Sequence, residues 1–288
     1  MRNSCCDANL REVILDERCR HTSQRPGARL VSEGRVTTVI VQHDRGPYAR
    51  VTVENAAKAN CLSTPIMLQL RDAFLALIDD DNLRLVVLTG EGERSFLGGA
   101  NLHELKELTP EKARAFLTLL SEANTAIRNL PVPVIARING VCIGAGLEVA
   151  ASCDLRIAAS HARLGMPEVA LDLPSVVESA LFPRMMGWGR MAWMIYRGDL
   201  LDAKLSEQWG LIEKSSKEGE LDADVEELVE TILANGPVGI RAQKALMRDW
   251  ERMSLQDGIM EGVEAIAQAV KSGESRRYIN QMISGLKK

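Results

Sequence analysis

The amino-acid sequence predicts an α/β fold with a helical C-terminal region, and three features of the chain support this prediction. Between residues 36 and 158, short apolar runs alternate with segments of helical periodicity. The apolar runs are continuous, which is typical of strands that are covered on both faces. From about residue 220 onwards, only helical spacing is found. Such an order of elements indicates a largely parallel sheet with helices packed against it.

The individual elements follow from local signals. Residues 36–41 and 49–53 are rich in β-branched side chains and are predicted as the two strands of a hairpin. Ser63, Thr64 and Pro65 then begin a helix, because hydroxyl residues cap helices and proline is tolerated in the first turn. The predicted elements that follow are a buried strand at 85–89, a helix from 109 to about 130, a strand at 132–138, a helix near 147–153, a strand at 155–158, and helices at 221–234, 238–250, 255–271 and 275–283.

The chain is expected to form one domain with extensions at both ends. Residues 1–29 are predicted to be a flexible extension, residues 30–219 an α/β core, and residues 220–288 a helical region. The extension lacks the apolar stretch of a secretory signal, and its acidic residues argue against a mitochondrial transit peptide. We therefore expect a cytoplasmic protein, with a mitochondrial location as the weaker alternative.

The composition narrows the classes of partner. Hydrophobic residues make up 46% of the chain and charged residues 26%, as in ordinary globular proteins. A net charge of −4 and an aromatic content of 4% argue against nucleic-acid binding. No apolar run approaches the roughly 18 residues of a membrane span, so we expect no membrane partner.

A metal site was considered at the N-terminus, where Cys5, Cys6 and Cys19 lie near His21. Their spacing matches no established ligand pattern, so we expect no metal. Nothing else indicates a disulfide framework, which favours a reducing compartment.

Two turns rich in small residues are candidate binding elements, at residues 95–102 and 143–148. Glycines in both turns leave backbone N–H groups uncovered by side chains. An N–H group at the start of a helix also lies at the positive end of the helix dipole. Two such groups converging on one oxygen would form an oxyanion hole. The alternative is that both turns are simply tight strand-to-helix connections.

Two glutamates have apolar neighbours in the sequence. Glu148 is predicted near the start of an apolar helix, and Glu168 follows residues 165–167, Gly-Met-Pro. A carboxyl in such surroundings is desolvated, which raises its pKa and suits it to general acid or base catalysis. An ion pair with Arg156 or Arg137 is the alternative for either glutamate.

Four segments in this order resemble the crotonase (enoyl-CoA hydratase/isomerase) superfamily: residues 85–90, 95–102, 131–157 (PVPVIARINGVCIGAGLEVAASCDLRI) and 165–169 (GMPEV). The resemblance extends over residues 36–288. It implies a crotonase-type spiral of ββα units whose helical C-terminal extension forms trimer contacts.

The resemblance also implies roles for single residues. The N–H groups of Ala100 and Ala145 would polarise a thioester carbonyl and stabilise an enolate oxygen. Glu148 would activate water, and Glu168 would supply a proton to the α-carbon. Coenzyme A would bind along residues 55–62 and both turns. The predicted substrate-binding residues are Lys58, Ala59, Cys61, Leu62, Gly98, Gly99, Asn101, Leu102, Gly144, Pro174 and Ser175.

Hydratases of this superfamily have two acids where isomerases often retain one, and both positions are glutamates here. The resemblance therefore implies an enoyl-CoA hydratase that needs no cofactor, since coenzyme A is part of the substrate, and that assembles as a homotrimer or a dimer of trimers. Isomerisation, a biosynthetic dehydration and a non-catalytic scaffold that binds RNA or protein remain alternatives. The acyl group and the physiological direction stay open.

The chain departs from the family pattern at three places. Asn101 stands where the family often has aspartate, and Ala145 where it often has glycine. Ala145 still offers its backbone N–H, and Asn101 can keep a hydrogen bond, so we expect the oxyanion hole to be preserved. Residues 173–180 replace a glycine-rich run with a β-branched segment that resembles a recognisable subgroup of the family. We expect this stiffer wall to narrow the acyl pocket.

Further polar residues are assigned structural or surface positions. Glu178 is expected to cap its helix or to pair locally, with contact to the substrate as the alternative, and Lys244 is expected to lie on a solvated helix face. His103 and His161 lack a paired nucleophile or ligand spacing and are expected at the surface.

Overall fold

The computed structural model describes residues 34–286. The strands are β1 (Arg35–Val41), β2 (Tyr48–Glu54), β3 (Val86–Gly90), β4 (Ser95–Leu97), β5 (Val134–Ile138), β6 (Val141–Ile143), β7 (Leu155–Ala158), β8 (Arg163–Gly165), β9 (Leu200–Asp202) and β10 (Lys214–Ser215). The α-helices are α1 (Thr64–Leu75), α2 (Leu102–Lys106), α3 (Pro110–Asn129), α4 (Ala145–Ser152), α5 (Phe182–Met186), α6 (Trp188–Arg197), α7 (Ala203–Trp209), α8 (Leu221–Ala234), α9 (Pro237–Trp250), α10 (Leu255–Lys271) and α11 (Glu274–Leu286). Short 3₁₀ helices lie at Ala56–Lys58, Glu168–Leu171 and Val177–Leu181. The extension predicted at 1–29 and the cysteines considered for metal binding lie outside the described residues.

The main sheet has the strand order β1-β2-β3-β5-β7-β10. β1 and β2 form the predicted antiparallel hairpin, and each later neighbour pairs in parallel. The strands predicted at 85–89, 132–138 and 155–158 are confirmed as β3, β5 and β7.

A second sheet, in the order β4-β6-β8-β9, was not predicted. Each of its strands has only three residues. Such segments are too short for period-two alternation to be recognised. Residues 95–97, interpreted as part of a loop, are therefore a strand that ends at the first candidate turn.

The main sheet is covered on both faces, which explains its continuous apolar strands. Val86 and Leu88 of β3 belong to one buried cluster together with Phe74 of α1. Val87, which points to the opposite face, belongs to a second cluster with Val229 of α8. Helix α8 thus packs directly on the main sheet. The predicted boundary at residue 220, between the α/β core and the helical C-terminal region, stays a prediction.

Gly146 permits a close contact between the two structural layers. A methyl group at this position would lie 2.1 Å from the carbonyl oxygen of Leu97, the last residue of β4. Every side chain other than hydrogen is therefore excluded, and the first turn of α4 lies directly against the end of β4. This contact brings the two candidate turns to the same end of the second sheet.

The C-terminal helices begin and end within three residues of their predicted bounds. No helix among residues 34–286 combines the length and the apolar character that crossing a membrane requires.

The prediction for Lys244 was wrong. Its side chain is only 6% exposed, although it belongs to the polar-looking helix α9. Its ammonium group donates to the carbonyl oxygen of Val132 at 2.8 Å and to the carboxylate of Asp154 at 2.7 Å. The same carboxylate oxygen accepts the N–H of Val134. Lys244 thus attaches α9 to the start of β5.

We expect Lys244→Met to lower the free energy of unfolding by about 2–4 kcal/mol, because the half-buried Asp154 carboxylate and the Val132 carbonyl lose a buried donor. Chemical denaturation of the purified variant measures this loss. Lys112→Met, at an exposed position of α3, is the matched control and should change stability by less than about 0.5 kcal/mol. Equal stability of the two variants would contradict the assignment.

Candidate active site

The two candidate turns lie next to each other in the fold. Gly99 and Gly144 both have positive φ angles, 91° and 53°. A methyl group on Gly144 would lie 4.0 Å from Cα of Gly99, and one on Gly99 would lie 3.2 Å from the carbonyl oxygen of Ile143. Each turn therefore leaves its backbone close to the backbone of the other.

The backbone N–H groups of Ala100 and Ala145 donate to no acceptor among residues 34–286. Ala145 is the first residue of α4, so its N–H has no carbonyl partner within the helix. Ala100 faces Leu62 in a parallel bridge whose hydrogen bonds use the carbonyl of Gly99 and the N–H of Asn101 instead. The assignment of an oxyanion hole to these two groups stays a prediction.

The segment predicted to bind coenzyme A lies against the first turn. The carbonyl oxygen of Ala59 accepts the N–H of Gly98 at 2.9 Å and the hydroxyl of Ser95 at 2.8 Å. Asn60 is fully buried, and its amide donates to the carbonyl of Ser95. Leu62 is also buried, and it forms a parallel β-bridge with Ala100 of the first turn. The segment and the turn therefore form one unit.

The remaining predicted binding residues differ in exposure. Cys61 is half-buried, and Asn101 caps α2 by accepting the N–H of His103. Lys58, Leu102 and Pro174 are exposed at the surface of the subunit. His103 and His161 are also exposed, as expected.

Glu148 lies on α4 with its side chain buried, at 3% exposure. Its Oε1 atom has no hydrogen-bond partner among the described residues. Burial, followed by the charges of Glu168 and Glu178, raises the pKa of its carboxyl from 4.5 to about 9, while the backbone N–H groups of Ser179 and Val176 act in the opposite direction.

The alternative of an ion pair between Glu148 and an arginine was wrong. Arg156 pairs with Glu213, and Arg137 pairs with Asp222 and Glu93. Both candidate arginines are thus engaged elsewhere, and the Glu148 carboxyl is left without a cation.

Glu168 begins a 3₁₀ helix, and its carboxylate lies beside Gly144. A methyl group on this glycine would approach Oε1 of Glu168 to 2.7 Å. The other oxygen, Oε2, accepts the hydroxyl of Ser175 at 3.0 Å. Burial raises the pKa of Glu168, and hydrogen bonds from its own backbone N–H and from Ser175 oppose this rise. The structure therefore brings together Glu148, Glu168, Gly144 and Ser175.

Glu178 was predicted to cap its helix or pair locally, and this was wrong. Its carboxylate accepts the hydroxyl of Ser121 at 3.2 Å and the amide of Asn124 at 2.6 Å, partners that are 57 and 54 residues away in the sequence. Both partners lie on α3. The sequence carries no local signal for these contacts, because Ser121 and Asn124 resemble ordinary polar positions of an amphipathic helix.

No group of three His, Cys, Asp or Glu side chains within residues 34–286 is arranged to hold a metal ion. The arrangement offers two interacting carboxyl groups near two turns whose backbone N–H groups lack an acceptor among the described residues.

The chain resembles known proteins that are described as enoyl-CoA hydratases or isomerases. A family model described as enoyl-CoA hydratase/isomerase matches residues 46–280. The chain is 35% identical over 193 residues to a crotonyl-CoA hydratase of Syntrophomonas wolfei, covering 66% of this chain and 74% of that protein. It is 32% identical over 206 residues to a short-chain-enoyl-CoA hydratase of Clostridium acetobutylicum, covering 71% and 79%.

Solved structures match over most of the chain. The enoyl-CoA hydratase of Bacillus anthracis superposes with a TM-score of 0.80 at 28% identity, covering 87% of this chain and 96% of that one. DspI of Pseudomonas aeruginosa gives a TM-score of 0.81 at 26% identity, covering 90% and 98%.

We expect Glu148→Gln to raise the thermal stability of the protein at neutral and alkaline pH. The carboxyl has a pKa of about 9 in the folded chain and 4.5 as its ordinary value. Folding therefore opposes its ionisation: the stabilisation of the neutral form is complete below pH 4.5 and is lost as the pH rises towards 9. The glutamine cannot ionise, so its advantage over glutamate grows by about 4 kcal/mol between pH 4.5 and pH 7.5.

The melting temperatures of wild type and variant, recorded from pH 5 to pH 8.5, measure this difference. Glu111→Gln, an exposed position on α3, should give a curve parallel to that of the wild type. If Glu148→Gln is also parallel, the carboxyl is not neutral in the folded chain.

Proposed function

The chain belongs to the enoyl-CoA hydratase/isomerase family, and we propose that within it this protein is an enoyl-CoA hydratase. The observation that supports this proposal is a pair of interacting carboxyls, Glu148 buried on α4 and Glu168 beside Gly144, whose pKa values are both raised by burial. Adding water to a conjugated thioester requires a base for the oxygen, an acid for the carbon and donors for the enolate. The site has all three.

In the proposed hydration, Glu148 is ionised and Glu168 is protonated. Glu148 takes a proton from water as the water oxygen bonds to C3 of the enoyl group. The electron pair of the double bond moves to the thioester oxygen, where the N–H groups of Ala100 and Ala145 stabilise the charge. The enolate collapses as Glu168 delivers its proton to C2. Water has then been added across the bond, and the proton of the pair has moved from Glu168 to Glu148.

The final state of hydration is the starting state of dehydration. Burial of Glu148 favours this state, with the proton on Glu148, in the free protein. Hydration begins after the proton passes back to Glu168 through water or solvent. One site therefore serves both directions, and the concentrations of substrate and product determine which is observed.

We propose no cofactor, because acid, base and oxyanion donors account for the reaction and coenzyme A belongs to the substrate. The names of the crotonyl-CoA and short-chain relatives favour a short acyl chain. The bacterial sources of these relatives favour the cytoplasm as the compartment. Isomerisation by a single carboxylate is the competing activity on this scaffold, and the presence of a second acid, Glu168, whose pKa burial raises, favours hydration.

Glu148→Gln and Glu168→Gln should each lower the hydratase kcat by at least about 10²-fold, the contribution of one general acid or base. The loss of crotonyl-CoA absorbance measures the rate. Binding of the thioester should change little, because the amide keeps the size of the side chain. Glu107→Gln, at an exposed position after α2, is the control. A kcat above about a third of wild type in either site variant rules out the two-carboxylate mechanism.

The loop at residues 174–177 is expected to limit the length of the acyl chain. Val176→Ala with Val177→Ala removes bulk and leaves both glutamates and both N–H donors in place. The ratio of kcat/KM on longer enoyl-CoA substrates to kcat/KM on crotonyl-CoA should increase by about 10-fold in the double variant. This is the substrate discrimination that one or two methylene groups typically provide. A uniform loss across all chain lengths would mean that the loop only supports the fold.

A trimer or a dimer of trimers is the assembly we expect. Helix α10 exposes an apolar stripe, formed by Ile259, Val263, Ile266 and Val270, each of which is about half or more exposed in the single subunit. A stripe of this size is unfavourable in water and is typical of an interface. Sedimentation at micromolar concentration should give three or six subunits, and a monomer there would refute the assembly.

A further inference from the structure

The 3₁₀ helix Val177–Leu181 packs between α3 and α4, and Glu178 attaches it to α3. Both oxygens of the Glu178 carboxylate accept hydrogen bonds from α3, one from Ser121 and one from Asn124. Asn124 is fully buried, and its Oδ1 atom has no hydrogen-bond partner among the described residues. We call Glu178, Ser121 and Asn124 the Glu178 clamp.

The clamp holds a backbone segment that reaches Glu148. The N–H groups of Val176 and Ser179, on either side of the clamp residue, act on the Glu148 carboxyl. Between them, Val177 has a φ angle of 39°, which a β-branched residue rarely adopts. Such a conformation persists only where the surroundings determine it. A carboxylate attached at two points to the neighbouring helix is a constraint of this kind.

The two groups that donate hydrogen bonds to the Glu178 carboxylate, the Ser121 hydroxyl and the Asn124 amide, are uncharged. No lysine or arginine within residues 34–286 forms an ion pair with this carboxylate. Arg128, on α3, interacts electrostatically with Glu178 but forms its ion pair with Glu251 at the end of α9, and Arg248 pairs with the same carboxylate. The charge of Glu178 therefore acts on both Arg128 and Glu148.

We propose that Glu178 is a positioning residue for Glu148. The clamp holds the backbone of residues 176–179 in contact with the Glu148 carboxyl and places the charge of Glu178 near that carboxyl. This inference rests on the proposed function for its consequence in catalysis. Its physical content, the coupling of the two carboxyls, does not depend on which reaction the site performs.

The charged groups around Glu148 come from several elements. Glu168 follows β8 in its own 3₁₀ helix, Glu178 lies in the next 3₁₀ helix, and the pair of Arg128 with Glu251 joins α3 to the end of α9. Both neighbouring glutamates oppose ionisation of Glu148. Neutralising one of them should therefore make Glu148 easier to ionise.

Glu178→Gln tests the charge alone. Its amide oxygen accepts from Asn124 and its amide nitrogen donates to Ser121, so the clamp is retained. We expect the alkaline limb of the kcat/KM profile to move to lower pH by about half a unit to one unit, with KM nearly unchanged. Glu178→Leu breaks the clamp and should lower kcat by about 10-fold or more, an effect that Glu178→Gln does not share.

A second readout does not require hydratase activity. The difference in melting temperature between proteins with Glu148 and with Glu148→Gln is followed against pH, with and without Glu178→Gln. The difference should level off at the pKa of Glu148 in the folded chain, so the pH at which it levels off should move down when Glu178 is neutral. Glu111→Gln in place of Glu178→Gln should leave this pH unchanged. A shift without any hydration of enoyl-CoA supports the coupling and refutes the proposed function. If the difference levels off at the same pH with and without Glu178→Gln, the inference is overturned, whatever the activity.

Discussion

The contact between the first turn of α4 and the end of β4 is the constraint on which the site depends. It exists because residue 146 is a glycine, and any β-carbon there would collide with the carbonyl of Leu97. The contact places the start of α4 beside the turn at Gly99, so that the two candidate turns lie close together. Glu148, in the same first turn of α4, has its side chain in the interior.

The burial of Glu148 has an energetic consequence for the whole chain. A carboxyl without a cation, and with two other carboxylates near it, opposes folding once the pH rises above its ordinary pKa. A protein selected for stability alone would have an amide or an apolar residue here. The arrangement is understandable if a buried acid with a raised pKa is what the chemistry requires. The sheet beneath it, apolar on both faces, provides the stability that offsets this burial.

The sequence predicted the main sheet and the helices because each has a long local signature. It predicted the raised pKa values of Glu148 and Glu168 because their neighbours in the chain are apolar. It missed what depends on distant partners. The three-residue strands of the second sheet have no period of their own. Lys244 resembles a solvated lysine until Asp154, 90 residues away, is seen beside it. Glu178 likewise finds its donors on α3, where Ser121 and Asn124 look like surface positions.

The segment that departs from the family pattern contacts both acids. Ser175 donates to Glu168, and the N–H groups of Val176 and Ser179 act on Glu148. The wall that is expected to limit the acyl chain is therefore also part of the environment that sets the two pKa values. A change in the backbone of this loop would therefore act on the acids as well as on the shape of the wall, whereas truncating the side chains of Val176 and Val177 changes the wall alone. The contacts of Glu178 with Ser121 and Asn124 on α3 hold this backbone from the opposite side.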